Sequence, residues 1–287
     1  MKIVTVPTNG EIPDKKDPYP YGWREAIRTL PDGTEVLERT PLTLEDILHP
    51  QVGDYRMHDE EHERFCNYLY NVLSARIADE PNAIVLHDVR VAWALPDLRA
   101  HGPDISVIFD LRRHINWSTF SEEDEETKPS LIIEIVSPST RSTDVVTKVD
   151  HYARVGVPNY IIVDRFERQG VMERTLVGYR LTPAGYEELS PNADGWLWIE
   201  PVNIWLSLED ENLVCYDETG NLIPDYVDVS ARAAEEAQAR VEAENHAAEE
   251  AQARVEAENR ATEEAQARIE AEERIRQLEN ELRRRTS

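Results

Sequence analysis

Three residues in this chain have the types and spacing to do chemistry. Asp104 follows Pro103 and opens the apolar run I-S-V-I-F. Glu134 stands inside L-I-I-E-I-V, where a buried strand would hold only apolar side chains. A carboxylate there is costly unless it is paired or binds a metal. Two carboxylates on neighbouring strands repel each other, and a divalent cation between them resolves the repulsion. Lys148, in D-V-V-T-K-V-D-H-Y, lies at the edge of an apolar helix face with Val145, Val149 and Tyr152. From there its ammonium can reach towards Glu134. Two carboxylates and an ammonium around a metal are what phosphodiester hydrolysis needs. The metal polarises the phosphate and acidifies a water, and the ammonium stabilises developing charge or orients the water. The other account of Lys148 is a surface lysine paired with Asp144 four residues earlier. His62 has two readings as well: a partly exposed first-turn histidine, or a side chain pointing over the site.

The elements that must position these residues follow from periodicity. Residues 105–109 and 131–136 are apolar enough to be central strands buried on both faces. A helix is predicted over 144–156, with Asp144 as N-cap and Gly156-Val157-Pro158 as its stop. Residues 160–163 form another strand, so the strand–helix–strand order predicts a parallel pair. Phe65, Leu69, Val72 and Leu73 fall at helical spacing and predict an amphipathic helix over 59–77. A shorter capped helix is expected at 43–48, and strands at 83–86 and 89–93. The acidic run 122–126 reads as a solvated loop. Beyond Asp164 the pattern is all strand, predicting an extension of the sheet or a meander beside it. Residues 1–41 read as an irregular arm with a short hairpin near Asp32-Gly33.

Composition narrows the classes. The 287 residues carry a formal charge of -26. Residues 230–287 hold 10 basic and 15 acidic side chains, so the tail contributes only -5 and the body is itself acidic. Such a surface repels nucleic acid at long range. Cys66 and Cys215 are the only cysteines, too few for a disulfide framework or a four-thiolate zinc site. No signal peptide and no run long enough to span a membrane is visible, and the expectation is a soluble cytoplasmic protein.

Residues 229–287 differ in kind. A-A-E-E-A-Q-A-R-V-E-A-E-N-H, from Ala233, repeats from Ala247 and more loosely from Ala261. The period of fourteen is two heptads, and no Gly or Pro follows Pro224. Val241, Val255 and Ile269 share one stripe, while Glu244, Glu258 and Glu272 occupy the partner seam position. A solvated single helix and a coiled coil are both open readings.

Taken together, P-D-I-S-V-I, L-I-I-E-I-V-S-P-S-T-R and D-V-V-T-K-V-D-H-Y-A-R-V-G-V-P-N-Y-I-I-V-D resemble the Uma-type family of bacterial restriction-endonuclease-like proteins, in the PD-(D/E)XK nuclease superfamily. The resemblance covers residues 42–208. It implies an α/β restriction-endonuclease-like core: a mixed central sheet flanked by helices, with additional C-terminal strands, within a domain over 42–228 that the coiled-coil-like tail follows. It implies Asp104 and Glu134 as metal ligands, the backbone carbonyl of Ile135 as a third, and Mg²⁺ or Mn²⁺ as the metal. DNA is the implied substrate, and a homo-oligomer, formed through the tail, the expected assembly. The superfamily's usual lysine position, two residues after Glu134, holds Val136, and Lys148 is the matching lysine. His62 matches a histidine often found on that family's first helix and joins the catalytic candidates. The other functions open to the sequence are a nuclease fold that binds nucleic acid or protein without cutting, and an oligomeric scaffold acting through the tail.

Overall fold

The computed structural model describes residues 2–5, 17–137 and 140–285. Residues 6–16 of the expected arm, and Pro138-Ser139 of the family motif, lie outside the described residues. The chain divides into two units, Met1–Tyr226 and Val227–Ser287.

The first unit begins with β1 (Lys2–Thr5), β2 (Trp23–Thr29), β3 (Glu35–Pro41), α1 (Leu44–Leu48) and β4 (Asp54–Tyr55). The four strands form one sheet in the order β1-β3-β2-β4. Much of the arm is therefore regular, against expectation. Its hairpin pairs all of β2 with β3, from Trp23–Pro41 to Thr29–Glu35. It turns near Asp32-Gly33, where a short hairpin is expected, and runs the full length of both strands. Thr43 caps α1 through a reciprocal capping box with Asp46.

Next come α2 (Glu60–Arg76), β5 (Ile84–His87), β6 (Arg90–Ala92), β7 (Ile105–Ile108), β8 (Thr119–Ser121), α3 (Glu122–Glu125), β9 (Pro129–Ile135), α4 (Lys148–Val155), β10 (Asn159–Arg168), β11 (Val171–Thr182) and β12 (Gly185–Glu188). The central sheet is mixed, in the order β12-β11-β10-β9-β7-β5. β9 and β10 are parallel, as their helical crossover predicts, and β7 runs antiparallel to β9. β6 leaves this sheet and pairs instead with β8. The acidic run is not a loop. Ser121 caps it as the one-turn helix α3, and Glu125 is buried, accepting from Arg113 at 2.7 Å and from the Trp117 indole at 3.1 Å. The chain of this unit ends with β13 (Leu197–Ile199), β14 (Ile204–Glu209), β15 (Asn212–Tyr216) and β16 (Leu222–Ile223), an antiparallel meander that forms its own sheet.

The period of two along β9 sorts the core into two layers. Leu131, Ile133 and Ile135 pack on Phe65, Leu69 and Leu73 of α2 and on Leu197, Leu206 and Cys215 of the meander. Ile132 and Val136 pack on the other side, against Tyr152 and Val155 of α4. Glu134 falls in this second set, so its carboxylate enters the layer beneath α4.

The second unit is the tail. It lies within α5 (Tyr226–Arg285), a helix of 60 residues. Arg240–Glu244, Arg254–Glu258 and Arg268–Glu272 form i,i+4 ion pairs along it at 3.0, 3.2 and 3.2 Å. Val241, Val255 and Ile269 are more than half exposed. Among the described residues no helix is long and apolar enough to cross a membrane.

Candidate active site

The antiparallel register pairs Ile105 with Ile133, so the next step outward brings Asp104 level with Glu134. Both carboxylates line one pocket of about 220 Å³, together with His62, Ile135, Asp144 and Lys148. The pocket sits where β9 ends and the chain turns into α4, at the carboxyl end of the two parallel strands.

Lys148 is 3% exposed, and its Nζ lies 2.8 Å from Glu134 Oε2 and 2.7 Å from Asp144 Oδ1. The two sequence accounts of this lysine therefore coincide: it pairs with Asp144 one turn earlier and reaches Glu134. Asp144 is not an N-cap. Backbone already helical at Ser142 leads into a π-helical turn over Thr143–Thr147, and Asp144 is buried within it. The wider turn swings the Asp144 carboxylate under the lysine, and Gly156, at φ 79, ends α4 in the left-handed conformation. The Tyr152 hydroxyl donates to Glu134 Oε1 at 2.8 Å. Tyr160, packed edge-on to Tyr152, donates its hydroxyl to the Asp144 carbonyl at 3.0 Å.

The Ile135 peptide organises the opposite wall. Its N–H donates to Asp104 Oδ2 at 2.7 Å, and its carbonyl accepts from His62 Nδ1 at 3.0 Å. His62 is 5% exposed, and its Nε2 lies 3.6 Å from Asp104 Oδ1. It is thus a buried wall of the pocket rather than an exposed first-turn residue. Its placement depends on the start of α2, where Asp59 accepts from the His62 N–H at 2.8 Å. Arg165 on β10 fixes that cap. It is buried, donates to both oxygens of Asp59 at 3.0 and 3.1 Å, to Glu61 at 2.8 Å and to the Val136 carbonyl at 3.1 Å.

The electrostatics follow from burial. Burial raises Glu134, and with Asp104 and Asp144 it outweighs the opposing pull of Lys148, leaving the group at about 8. Burial would lower Lys148, but Asp144, Glu134 and Asp104 hold it above the ordinary lysine value. Burial also acts to raise Asp104, yet His62, Lys148 and Arg56 leave it below the usual carboxylate range. Three buried carboxylates thus face one buried ammonium. That surplus of negative charge suits a divalent cation, and the oxygen-rich set of Asp104, Glu134 and the Ile135 carbonyl is the hard donor set that Mg²⁺ or Mn²⁺ takes.

A second group of three, His49, His101 and His151, lies close together, but its tautomers are already fixed. The Trp93 indole N–H donates to His101 Nδ1 at 2.7 Å. His101 must then carry its proton on Nε2, which donates to His151 Nδ1 at 2.9 Å. With both His101 nitrogens engaged and His49 Nδ1 donating to the Ala100 carbonyl at 3.0 Å, the three do not offer a metal a free donor set.

Asp144, Tyr152 and Arg165 are the residues that sequence reasoning missed as parts of the site. Asp144 and Tyr152 stand at i−4 and i+4 from Lys148, and a charged residue inside N-Y-I-I-V-D-R was the signal for Arg165.

A mixed sheet with helices on its faces, with acidic residues meeting a lysine at the strand ends, makes this an α/β protein with a buried, charged pocket among the described residues. Residues 55–209 match the family model of Uma2, described as "Putative restriction endonuclease", and the chain belongs to that family. No curated protein matches it. Among solved structures it is similar to the crystal structure of a putative nuclease belonging to DUF820 from Anabaena variabilis ATCC 29413. The identity is 17% and the TM-score 0.39, over 56% of this chain and 91% of that one.

Proposed function

We propose that this chain is a metal-dependent endonuclease that hydrolyses DNA phosphodiester bonds, of the PD-(D/E)XK type. The observation that carries the reading is the buried Lys148 ammonium, 2.8 Å from a carboxylate set inside an otherwise apolar strand. Asp104, Glu134 and the Ile135 carbonyl would hold Mg²⁺ or Mn²⁺, which when bound polarises the phosphate and lowers the pKa of a water. Lys148 orients the attacking water and stabilises charge on the phosphate oxygens. Asp144 keeps that ammonium charged and aimed. Tyr152 fixes the Glu134 carboxylate, and His62 fixes the Ile135 carbonyl. Arg165 is a positioning residue, acting through the α2 cap on His62.

The acidic surface works against DNA binding, and the pocket offsets it locally. Lys148 and Arg56 lie at its wall, and a bound cation adds two positive charges. The tail supplies a homo-oligomer, which would bring two single-strand cutters onto one duplex. Sedimentation of the full chain against a chain ending at Asp228 tests that role, and equal association states would remove it. Plasmid cleavage with Mg²⁺ or Mn²⁺ tests the main reading. Wild type should nick or linearise the plasmid and stop in EDTA. Asp104→Ala cutting as fast as wild type would overturn it.

A further inference from the structure

We propose that His62, Cys66 and Asp104 form a second cation site, of the zinc class, which shares Asp104 with the hard-cation site and silences it when filled. The silencing rests on the nuclease reading; the site itself does not.

The Ile135 peptide prepares two of the ligands. A carbonyl only accepts, so the neutral His62 ring carries its proton on Nδ1 and turns a lone pair outward at Nε2. A ligating histidine is commonly held in this way, by a hydrogen bond from its other nitrogen to a carbonyl. Asp104 is fixed likewise, since Oδ2 takes the Ile135 N–H and leaves Oδ1 to face the histidine. Nε2 and Oδ1 lie 3.6 Å apart, too far for a good hydrogen bond. Two tetrahedral zinc ligands with bonds of about 2.0–2.1 Å lie roughly 3.3–3.4 Å apart, so little movement is needed.

Cys66 supplies the third donor. It stands four residues after His62, on the same face of α2, and all three donor atoms lie within 4.8 Å of one another. All three residues are buried, at 5, 0 and 6% exposure. Binding forms Zn–N, Zn–S and Zn–O bonds and releases the thiol proton to solvent. One thiolate and one carboxylate then neutralise the dication. Sulfur and imidazole donors favour zinc over magnesium, whereas Glu134 and the Ile135 carbonyl favour the harder cation. Because both sets need Asp104, filling one empties the other.

The test uses Co²⁺ as a zinc probe on the metal-stripped full chain. A thiolate-to-cobalt absorption band in the near ultraviolet should appear and be bleached by zinc. Cys66→Ala should abolish it, Cys215→Ala should keep it, and zinc affinity in Cys66→Ala should fall at least about tenfold. Absence of the band in wild type, or its survival in Cys66→Ala, overturns the proposal. Should Cys66→Ala lose its helical circular dichroism, Asp104→Asn carries the test, and unchanged cobalt affinity there is equally fatal. Glu134→Ala should retain the band while losing cleavage, so failure of the zinc site and failure of the nuclease reading are read separately. In wild type, zinc should inhibit Mn²⁺-driven cleavage; unimpaired cleavage with the band present would overturn the silencing.

Discussion

Replacing Lys148 by methionine preserves the length of the side chain and deletes its charge. The ammonium is 3% exposed and bridges Asp144 at 2.7 Å and Glu134 at 2.8 Å, with Asp104 in the same pocket. Removing one partner of such a buried pair leaves uncompensated carboxylates and costs about 3–5 kcal/mol. For a folded unit of this size that lowers the Tm by roughly 6–20 °C, at about 2–4 °C per kcal/mol. A divalent cation can replace the missing positive charge, so the deficit should shrink in Mn²⁺ relative to EDTA. Cleavage should not recover in the same way. Loss of one preorganised donor should leave the rate about 10²–10³ below wild type even when the metal site is filled. The measurements are urea unfolding of both proteins in EDTA and in Mn²⁺, and single-turnover cleavage. A stability change under about 0.5 kcal/mol, or equal deficits with and without Mn²⁺, would refute the charge-balance argument.

Other outcomes follow from the same structure. Val136 packs on the face of β9 that Glu134 uses, so Val136→Lys should restore part of the cleavage lost in Lys148→Met; no gain over the single variant means the two positions do not reach one point. Burial, then the charge of Lys148, lowers His101 to about 2. Its folded value lies below the unfolded value near 6.5, so the unfolded chain takes up the proton first. Stability contributed by neutral His101 is then present well above pH 6.5 and falls as the pH drops towards 2, by about 2 kcal/mol between pH 6.5 and 4.5. Unfolding measured across that window should show the slope in wild type and less of it in His101→Gln; identical slopes would discount it. Tail pairing should be antiparallel, because in-register parallel helices set Glu244, Glu258 and Glu272 against their own copies, whereas the antiparallel register sets Glu244 opposite Thr262 and Val241 opposite Ala265. Cys66 and Cys215 are buried, so Val241→Cys with Ala265→Cys should oxidise to a covalent dimer and Val241→Cys alone should not; a covalent dimer from the single variant argues for parallel strands of the coil.

Much of the fold was readable where apolar patterning and burial agree. The central strands, α2, the parallel β9–β10 pair and the long tail helix follow from runs, spacing and stop signals. Asp104, Glu134 and Lys148 stood out because a charge in an apolar setting demands a partner. The missed features are those in which one side chain serves two ends. Tyr152 reads as an apolar helix residue, yet its hydroxyl holds Glu134. Asp144 reads as an N-cap or as a surface partner of Lys148, and the π-helical turn instead buries that pair beside Glu134. Glu125 belongs to an acidic run but is turned inward by Arg113 and Trp117, partners not visible from the run itself. The β2–β3 hairpin is legible at its Asp32-Gly33 turn but not in its length, because its register follows from pairing along charged strands rather than from an apolar stripe.

The most direct measurement is a plasmid-cleavage time course in Mn²⁺ with wild type and Glu134→Gln, each first shown to be folded by circular dichroism. Glutamine keeps the shape of the side chain and removes the charge that Lys148 and the cation share. The account predicts nicked and linear plasmid with wild type, none in EDTA, and cleavage by Glu134→Gln slower by about 10² or more. Equal rates for the two proteins, or wild-type cleavage that persists in EDTA, would contradict it.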